Sequence, residues 1–391
     1  MTAISHAITL TFRHQIHVTQ NVFGANGLLA DVLTDSSIVG GAADAVPRLV
    51  ICVDKGVLTA KPGLVAEIDG WCERHRDRLN KLDDCLVLPG GEACKNTLQY
   101  VEAVWELIHR NQLCRHSYVV AVGGGAFLDM VGFAAATAHR GLRLVRLPTT
   151  SLAQGDGGVG VKNAINWFGK KNWVGTFQVP HAVINDTDFL ALQPEAQRRE
   201  GLVEALKVAL IRDASLYDAM SARQTELAQL ETEAVARTLV ESARLHALHI
   251  ATNGDPFELG SARPLDFGHW VAHKLEQMTD FRLSHGEAVS IGMAVDILYG
   301  GLAGLMPMAK AVEVLTLMEK LKFPLYDAAL DQQAEGQRVV LKGLEEFREH
   351  LGGELTITLL TGIGSCQDVH TMDVAQVEAA ISILQLESWR P

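Results

Sequence analysis

No run of about 18 apolar residues occurs anywhere in the chain, which excludes an ordinary transmembrane helix. The first residues, MTAISHAITLTFRHQIHV, also lack the basic stretch and apolar block of a cleaved leader, so the expectation is a soluble, unprocessed cytoplasmic protein. Lys and Arg form no long run, and the formal net charge is −12. A chain of that kind has neither the electrostatic footprint of a nucleic-acid binder nor a basic face for anionic lipid. Any phosphate site must therefore be local. The six cysteines (Cys52, Cys72, Cys85, Cys94, Cys114 and Cys366) include no CxxC pair, which argues for reduced thiols in a cytosolic setting and against a disulfide framework. There is no internal repeat, low-complexity segment or long linker.

What is present is ample core. The 391 residues are 48% apolar, enough for two domains at roughly 150 residues each. RLVICVDKGV (Arg48 to Val57) and SYVVAVGGG (Ser117 to Gly125) fit strands buried on both faces, the first closed by a Lys-Gly turn. Between them, NTLQYVEAVWELIHRNQL carries apolar residues at helical spacing, and LRLVRLP and HAVIND read as further strands. This alternation predicts a doubly wound α/β domain over residues 1–188. Residues 189–391 read as mainly helical, with ELTITLLTGIG (Glu354 to Gly364) as a single late strand or hairpin. The two domains are expected to meet in a continuous interface, where ligand clefts often lie.

Three segments carry candidate chemistry. Gly123, Gly124 and Gly125 follow a predicted strand and open a predicted helix, where a backbone without Cβ atoms can approach a pyrophosphate; a tight turn would look the same. LPTTSLAQGDGGVGVKNAINWFGKKNWVG reads as a loop-rich segment whose Lys162, Lys170 and Lys171 stand among glycines that admit an anion, or as an ordinary solvated loop. DFGHWVAHKLEQMTDFRLSHGEAVSIGM places His269 and His273 four apart on one helical face. Ser284 and Gly286 mark the break that lets His285 fold back toward them, an arrangement suited to a divalent ion such as zinc, or to histidines satisfied by hydrogen bonds. Glu204 and Lys207 in GLVEALK share one side of a helix, as a third metal ligand with its neighbour or as a surface ion pair.

The ordered series GGGAFLDMVGFAAATAHRG, PTTSLAQGDGGVGVKN, GKKNWVGTF, GLVEALKVALI, LDFGHWVAHKLE and LSHGEAVSIGM resembles the sugar phosphate cyclases, the superfamily of 3-dehydroquinate synthase, from about Pro89 to Met293 and more weakly beyond. The resemblance implies a Rossmann-like α/β NAD-binding domain, a helical metal-binding domain with the active site between them, and a homodimer. It implies that Glu204, His269 and His285 hold zinc or cobalt, with His273 beside the substrate phosphate. For NAD it points to Asp54, Glu92, Lys95, Gly123, Gly124, Gly125, Asp129, Thr149 and Thr150. Arg140, Lys162, Lys171 and Asn172 match positions that grip the phosphate and the sugar, and Asp156 and Lys207 match positions that bind substrate hydroxyls. The chemistry implied is oxidation of a ring alcohol, β-elimination of phosphate, return of the hydride, ring opening and aldol closure, with NAD⁺ regenerated in each cycle.

The substrate hinges on departures from dehydroquinate synthase, whose substrate carries a carboxylate bound by an arginine. Here GSARPLDFGHW puts Ala262 where that arginine belongs, Asp266 in place of an asparagine and His246 in place of an assisting lysine; Arg263 could compensate only by a backbone shift. ARPLDFGHW and EFREHLGGELTITLL resemble the sedoheptulose 7-phosphate cyclases typified by 2-epi-5-epi-valiolone synthase, which favours that neutral heptulose phosphate. Lys162 dissents, since that subgroup usually lacks it, and the combination also resembles the cyclase-like proteins of the ebo clusters, from which no substrate carries over. Valiolone or desmethyl-4-deoxygadusol products, 3-deoxy-arabino-heptulosonate 7-phosphate as substrate, a metal-dependent polyol dehydrogenase and a noncatalytic binding protein on the same fold are the alternatives.

Overall fold

A computed structural model describes residues 3–35, 46–257, 264–350 and 353–390, and the chain forms two units, Met1–Pro148 with Val161–Asp186 and Thr149–Gly160 with Thr187–Pro391. Ala262 and Arg263 lie outside the described residues.

In the first unit the strands are β1 (Ile16–Thr19), β2 (Arg48–Asp54), β3 (Asn80–Lys81), β4 (Leu86–Leu88), β5 (Tyr118–Gly123), β6 (Arg143–Pro148), β7 (Lys162–Trp167), β8 (Lys170–Phe177) and β9 (Ala182–Asp186). Seven of them form one parallel sheet in the order β1-β9-β6-β5-β2-β3, with β4 also on β2. Strands β2 and β5 are apolar between their end residues because both faces are covered, which leaves no polar alternation to read, and β6 is as buried but carries Arg143 and Arg146. The chain runs outward from β2 to β3 and returns through β5 to β6, so the strand order reverses between β2 and β5, the place where α/β sheets open a crevice at their carboxyl ends. The helices are α1 (Leu28–Thr34), α2 (Lys55–Ala60), α3 (Leu64–Arg74), α4 (Gln99–Arg110) and α5 (Gly125–Thr137). The Lys-Gly turn expected after β2 is instead the first turn of α2, because the Asp54 side chain caps it by accepting from Gly56 N at 2.7 Å.

The second unit contains α6 (Glu195–Arg212), α7 (Ala214–Ala222), α8 (Gln224–Ala228), α9 (Thr232–Thr252), α10 (His269–Met278), α11 (His285–Leu302), α12 (Met308–Lys320), α13 (Lys342–His350) and α14 (Val374–Gln385), and the late apolar segment is a hairpin of Ile357–Gly362 with Ser365–Val369. Helix α11 is buried from Gly286 to Gly300 apart from Glu287 and lies at the centre of the apolar core. No helix among the described residues is long and apolar enough to cross a membrane.

The segment expected as loop is structured. Ala153–Gly157 is a π-helical turn with three of its five residues buried, and Lys162–Trp167 and Lys170–Phe177 pair as an antiparallel hairpin. Phe168 and Gly169 turn that hairpin with φ of +52° and +70°, the twist that a two-residue loop requires. Thr149–Gly160, although it lies between β6 and β7 in the chain, belongs to the helical unit. Gly201 on α6 explains the packing: a Cβ there would come within 2.6 Å of the Ser151 backbone carbon.

Helices α10 and α11 approach through glycines as well. A Cβ on Gly292 would lie 2.0 Å from the Gly268 carbonyl oxygen, a backbone atom that cannot swing aside. Gly292→Ala is expected to destabilise the protein by about 1–3 kcal/mol through overpacking. Gly70→Ala, in the interior of α3 where the nearest atom is the Arg74 guanidinium at 3.6 Å, should stabilise by about 0.5–1 kcal/mol. Urea unfolding of the two variants tests the contrast, and equal midpoints would refute the close packing at Gly292.

Candidate active site

Helix α6 carries two charged side chains into the interior. Every residue from Gly201 to Ile211 is buried, and Glu204 and Lys207 are 0% and 1% exposed, so the surface ion pair that the sequence allowed is not what forms. Lys207 Nζ pairs with Glu204 Oε2 and stands 3.7 Å from Asp156 Oδ2, which the π-helical turn presents. Asp156 Oδ1 in turn lies 2.5 Å from Nδ1 of His246 on α9. Burial works against charge on Lys207, but Glu204 and Asp156 raise its pKa above the ordinary lysine value. Burial also opposes ionisation of Asp156, and Lys207 and His246 overcome it and hold the carboxyl well below the usual range. Burial pushes the Glu204 carboxyl up.

Two histidines reach the same place from helix starts. His269 is the first residue of α10 and His285 the first residue of α11. Ser284 and Glu287 form a capping box that fixes where α11 begins. Gly268 caps α10 in the left-handed region at φ +80°, and its N–H donates to Asp296 Oδ2 at 3.1 Å while Trp270 Nε1 donates to Asp296 Oδ1 at 2.8 Å. Both neighbours of His269 are thus tied to one buried carboxyl on α11. His269 Nδ1 lies 3.1 Å from the Phe267 carbonyl, a contact in which the ring N–H donates and Nε2 is left as the ligand nitrogen. Burial, and then the Lys207 charge, hold His269 well below the usual imidazole range, in its neutral form. On His285, Nε2 faces Glu204 Oε1 at 3.7 Å and Nδ1 faces Glu276 Oε1 at 3.4 Å.

Glu204, His269 and His285 each offer one ligand atom, all within 4.8 Å of one another. Both Glu204 carboxylate oxygens and His285 Nδ1 are buried without a hydrogen bond of ordinary geometry. Two imidazoles and a carboxylate so disposed fit a divalent ion that keeps a further position for substrate. His273, one turn along α10, is outside this triad; its half-buried ring stacks at 25° on that of His285, with centroids 6.3 Å apart. Asp266, half-buried in the turn Pro264–Asp266, acts electrostatically on Lys207.

The first unit gathers a second set. Asp54 and the glycine turn meet at the crevice: Gly124 N donates weakly to Asp54 Oδ2 at 3.4 Å, and a Cβ on Gly123 would meet Phe127 at 2.6 Å. Helix α5 starts at Gly125, leaving its first N–H groups for an anion. Lys95, 2% exposed, binds Asp129 Oδ2 at 2.9 Å and also pairs with Asn172 Oδ1, with Glu92 at 3.9 Å. Asn166 on β7 donates to Glu92 Oε1 at 2.9 Å and accepts from Asn172 N at 2.8 Å, so the candidate cofactor residues Glu92, Lys95 and Asp129 are hydrogen-bonded to the hairpin that carries Lys162, Lys171 and Asn172. Arg140 is exposed in a left-handed turn at φ +64°. Thr149 and Thr150 belong to the helical unit's segment; Thr149 is buried, and Thr150 Oγ1 accepts from Ala153 N at 3.2 Å.

Sequence reasoning missed Glu276 and Asp296. Glu276 falls seven residues after His269, on the same helical face, and Asp296 is the lone acid in the apolar run AVSIGMAVDILY, an arrangement that buried carboxyls rarely adopt without partners.

Comparison with known proteins places this geometry. Residues 85–200 match the family profile described as 3-dehydroquinate synthase N-terminal, and residues 201–339 match 3-dehydroquinate synthase C-terminal. The chain is 33% identical over 380 residues to the 2-epi-5-epi-valiolone synthase of Streptomyces glaucescens, covering 96% of this chain and 92% of that one. It is 34% identical over 280 residues to the 3-dehydroquinate synthase of Halorhodospira halophila, covering 71% and 77%. Among solved structures, 2-epi-5-epi-valiolone synthase from Streptomyces hygroscopicus subsp. jinggangensis 5008 with NAD⁺ and Zn²⁺ bound superposes with a TM-score of 0.81 at 25% identity, covering 99% of this chain and 100% of that one.

Asp296 provides a test of the histidine clamp. Burial pushes its carboxyl from 3.8 to about 7, against the pull of the Trp270 and Gly268 hydrogen bonds. An acid whose folded pKa is raised contributes stability that is present below the unfolded value and lost as pH rises through the folded one. Asp296→Asn cannot titrate and can accept only one of the two bonds, so it should be less stable than wild type near pH 4, with a gap that narrows toward pH 7. Urea unfolding of both proteins across that range measures the gap, and a constant gap would mean that Asp296 stays ionised throughout.

Proposed function

The chain belongs to the 3-dehydroquinate synthase family of sugar phosphate cyclases, and we propose that it converts sedoheptulose 7-phosphate to a cyclitol with loss of phosphate and intramolecular aldol closure. The observation that carries the reading is the set of buried Glu204, buried His269 and half-buried His285 with Lys207 and Asp156 beside it.

In this reading Glu204, His269 and His285 hold zinc or cobalt, and Asp54, Glu92, Lys95, Gly123 to Gly125, Asp129, Thr149 and Thr150 hold NAD. When bound, the metal supplies Lewis-acid polarisation of the hydroxyl that is oxidised, and NAD⁺ supplies a reversible hydride acceptor. Lys207 Nζ, kept charged by two carboxylates, donates to a substrate oxygen at the edge of the ligand set. Asp156, kept ionised by Lys207 and His246, accepts a substrate hydroxyl proton in a hydrogen bond. Lys162, Lys171, Asn172 and Arg140 grip the phosphate and the sugar chain, and His273 stands beside the leaving phosphate to take or return a proton at a ring nitrogen.

Two features support a neutral heptulose over a carboxylated one. Asp266 acts on Lys207 where dehydroquinate synthase has an asparagine, and setting a substrate carboxylate beside it without the usual guanidinium would cost several kcal/mol as an order of magnitude. His246, in the place of an assisting lysine, is already engaged with Asp156 at 2.5 Å.

Purified protein loaded with NAD⁺ and Zn²⁺ or Co²⁺ is expected to release phosphate from sedoheptulose 7-phosphate and not from 3-deoxy-arabino-heptulosonate 7-phosphate. Glu204→Ala should lose bound metal, read by elemental analysis, and at least about 100-fold in kcat/KM. Release from the carboxylated sugar alone would make this a divergent dehydroquinate synthase, and NADH accumulation without phosphate would make it a dehydrogenase.

A further inference from the structure

A guanidinium lies wholly inside the first unit, on a strand that otherwise carries core. Arg146 of β6 is 0% exposed, between Val145 and Leu147, which are equally buried. Its Nη2 donates to the Asn163 side-chain oxygen at 2.7 Å and to the Lys162 main-chain carbonyl at 2.7 Å. Those two residues open β7. A strand of apolar residues would pack against the neighbouring helix with less cost, so this arginine calls for an account beyond filling space. The receiving side is shaped for it: a Cβ on Gly132 of α5 would lie 1.8 Å from Asn163 Oδ1, so the Asn163 amide can sit over the helix only because residue 132 has no side chain. The opposite strand of the hairpin is tied down separately, through Lys95 to Asn172 and through Asn166 to the Asn172 N–H.

We propose that Arg146 is the positioning residue of the phosphate site, fixing the Lys162 backbone so that the Lys162 ammonium is set at the substrate phosphate. This rests on the reading of Lys162 as a phosphate ligand given above. Lys162 is itself exposed, and a long lysine stem delivers its charge reproducibly only when its Cα is fixed. Two hydrogen bonds from Nη2, one to the carbonyl of Lys162 and one to the Asn163 side chain, hold the first two residues of β7 against β6 and so restrain that Cα.

The test is a double-mutant cycle on the holoenzyme with Arg146→Gln, Lys162→Ala and the pair, reading KM and kcat for sedoheptulose 7-phosphate and the inhibition constant of inorganic phosphate. Arg146→Gln is expected to raise KM and the phosphate inhibition constant about tenfold while kcat changes less than about threefold, and the double variant should be no worse than Lys162→Ala alone. NAD⁺ affinity, read by fluorescence titration, should not move. Asn163→Ala removes the receiving side chain and should reproduce a smaller rise with the same non-additivity, which decides the matter if Arg146→Gln does not fold. Multiplicative losses in the cycle, or an unchanged phosphate constant for Arg146→Gln beside a raised one for Lys162→Ala, would overturn the positioning role while leaving Lys162 as a phosphate ligand. An unchanged phosphate constant for Lys162→Ala itself would remove both that ligand assignment and the inference built on it.

Discussion

The helical unit is organised around one lysine that has no water to turn to. An ammonium at the position of Lys207 is tolerable only with carboxylates in contact, and it has two, Glu204 on its own helix and Asp156 on the π-helical turn. Two acids against one base leave a net negative charge in the interior, which is itself unfavourable until a cation joins. Burial, with the same ammonium adding to it, keeps His269 neutral, and a neutral imidazole is the form that binds metal. One buried charge thus holds Asp156 ionised, offsets Glu204 and prepares a ligand nitrogen. The packing serves that arrangement: Gly201 lets α6 press on the segment that carries Asp156, and Gly268 with Gly292 lets α10 press on α11.

Both candidate ligand histidines sit on the first residue of a helix, and that placement is more than convenience. A helix start is defined by caps, so the position of its first residue is set by the capping box of Ser284 and Glu287 in one case and by Gly268 under Asp296 in the other. At His269 the partial positive charge of the helix start acts in the same direction as burial and the Lys207 charge, favouring the neutral ring. His269 also has a partner at the nitrogen turned away from the candidate ligand set, the Phe267 carbonyl, and such a partner orients a ligand and selects its tautomer, while the Glu276 carboxylate stands 3.4 Å from Nδ1 of His285.

Regular elements were legible where one periodicity sufficed. The continuous apolar runs of β2 and β5, the helical spacing of α4 and the strand-glycine-helix order at Gly123 can each be read within about fifteen residues, because local pattern and burial agree there. The HxxxH pair was readable as a shared helical face, and the recurrence of six motifs in order supplied what spacing alone left open. The segment from Thr149 to Phe177 was not legible. Its glycines and polar residues read as loop, but Gly155 packs closely on Leu239, Ser151 packs closely on Gly201 of α6, and Asn163 is buried because it meets Arg146, seventeen positions earlier. Long-range satisfaction of a polar group leaves no periodic trace. The return of Thr149–Gly160 to the helical unit is hidden for the same reason: unit membership is a matter of contacts, and the chain passes through without a compositional break.

Substrate choice follows from the sign of the charges already in place. In the proposed reading the metal compensates Glu204, Lys207 compensates Asp156, and Asp266 remains as a further acid acting on that same lysine. In that reading a carboxylated substrate would add a negative group beside Asp266, while His246 is engaged with Asp156 and position 262 is an alanine. A hydroxylated chain makes the opposite demand. Its O–H groups are donors that two carboxylates can accept, and its oxygens are acceptors for the Lys207 ammonium, so each buried charge gains a partner when the sugar binds. In the proposed reading a single substitution such as Asp266→Asn would remove one acid and still leave position 262 without a guanidinium, so exchange of substrate class would take at least two coordinated changes, the loss of an acid and the arrival of an arginine.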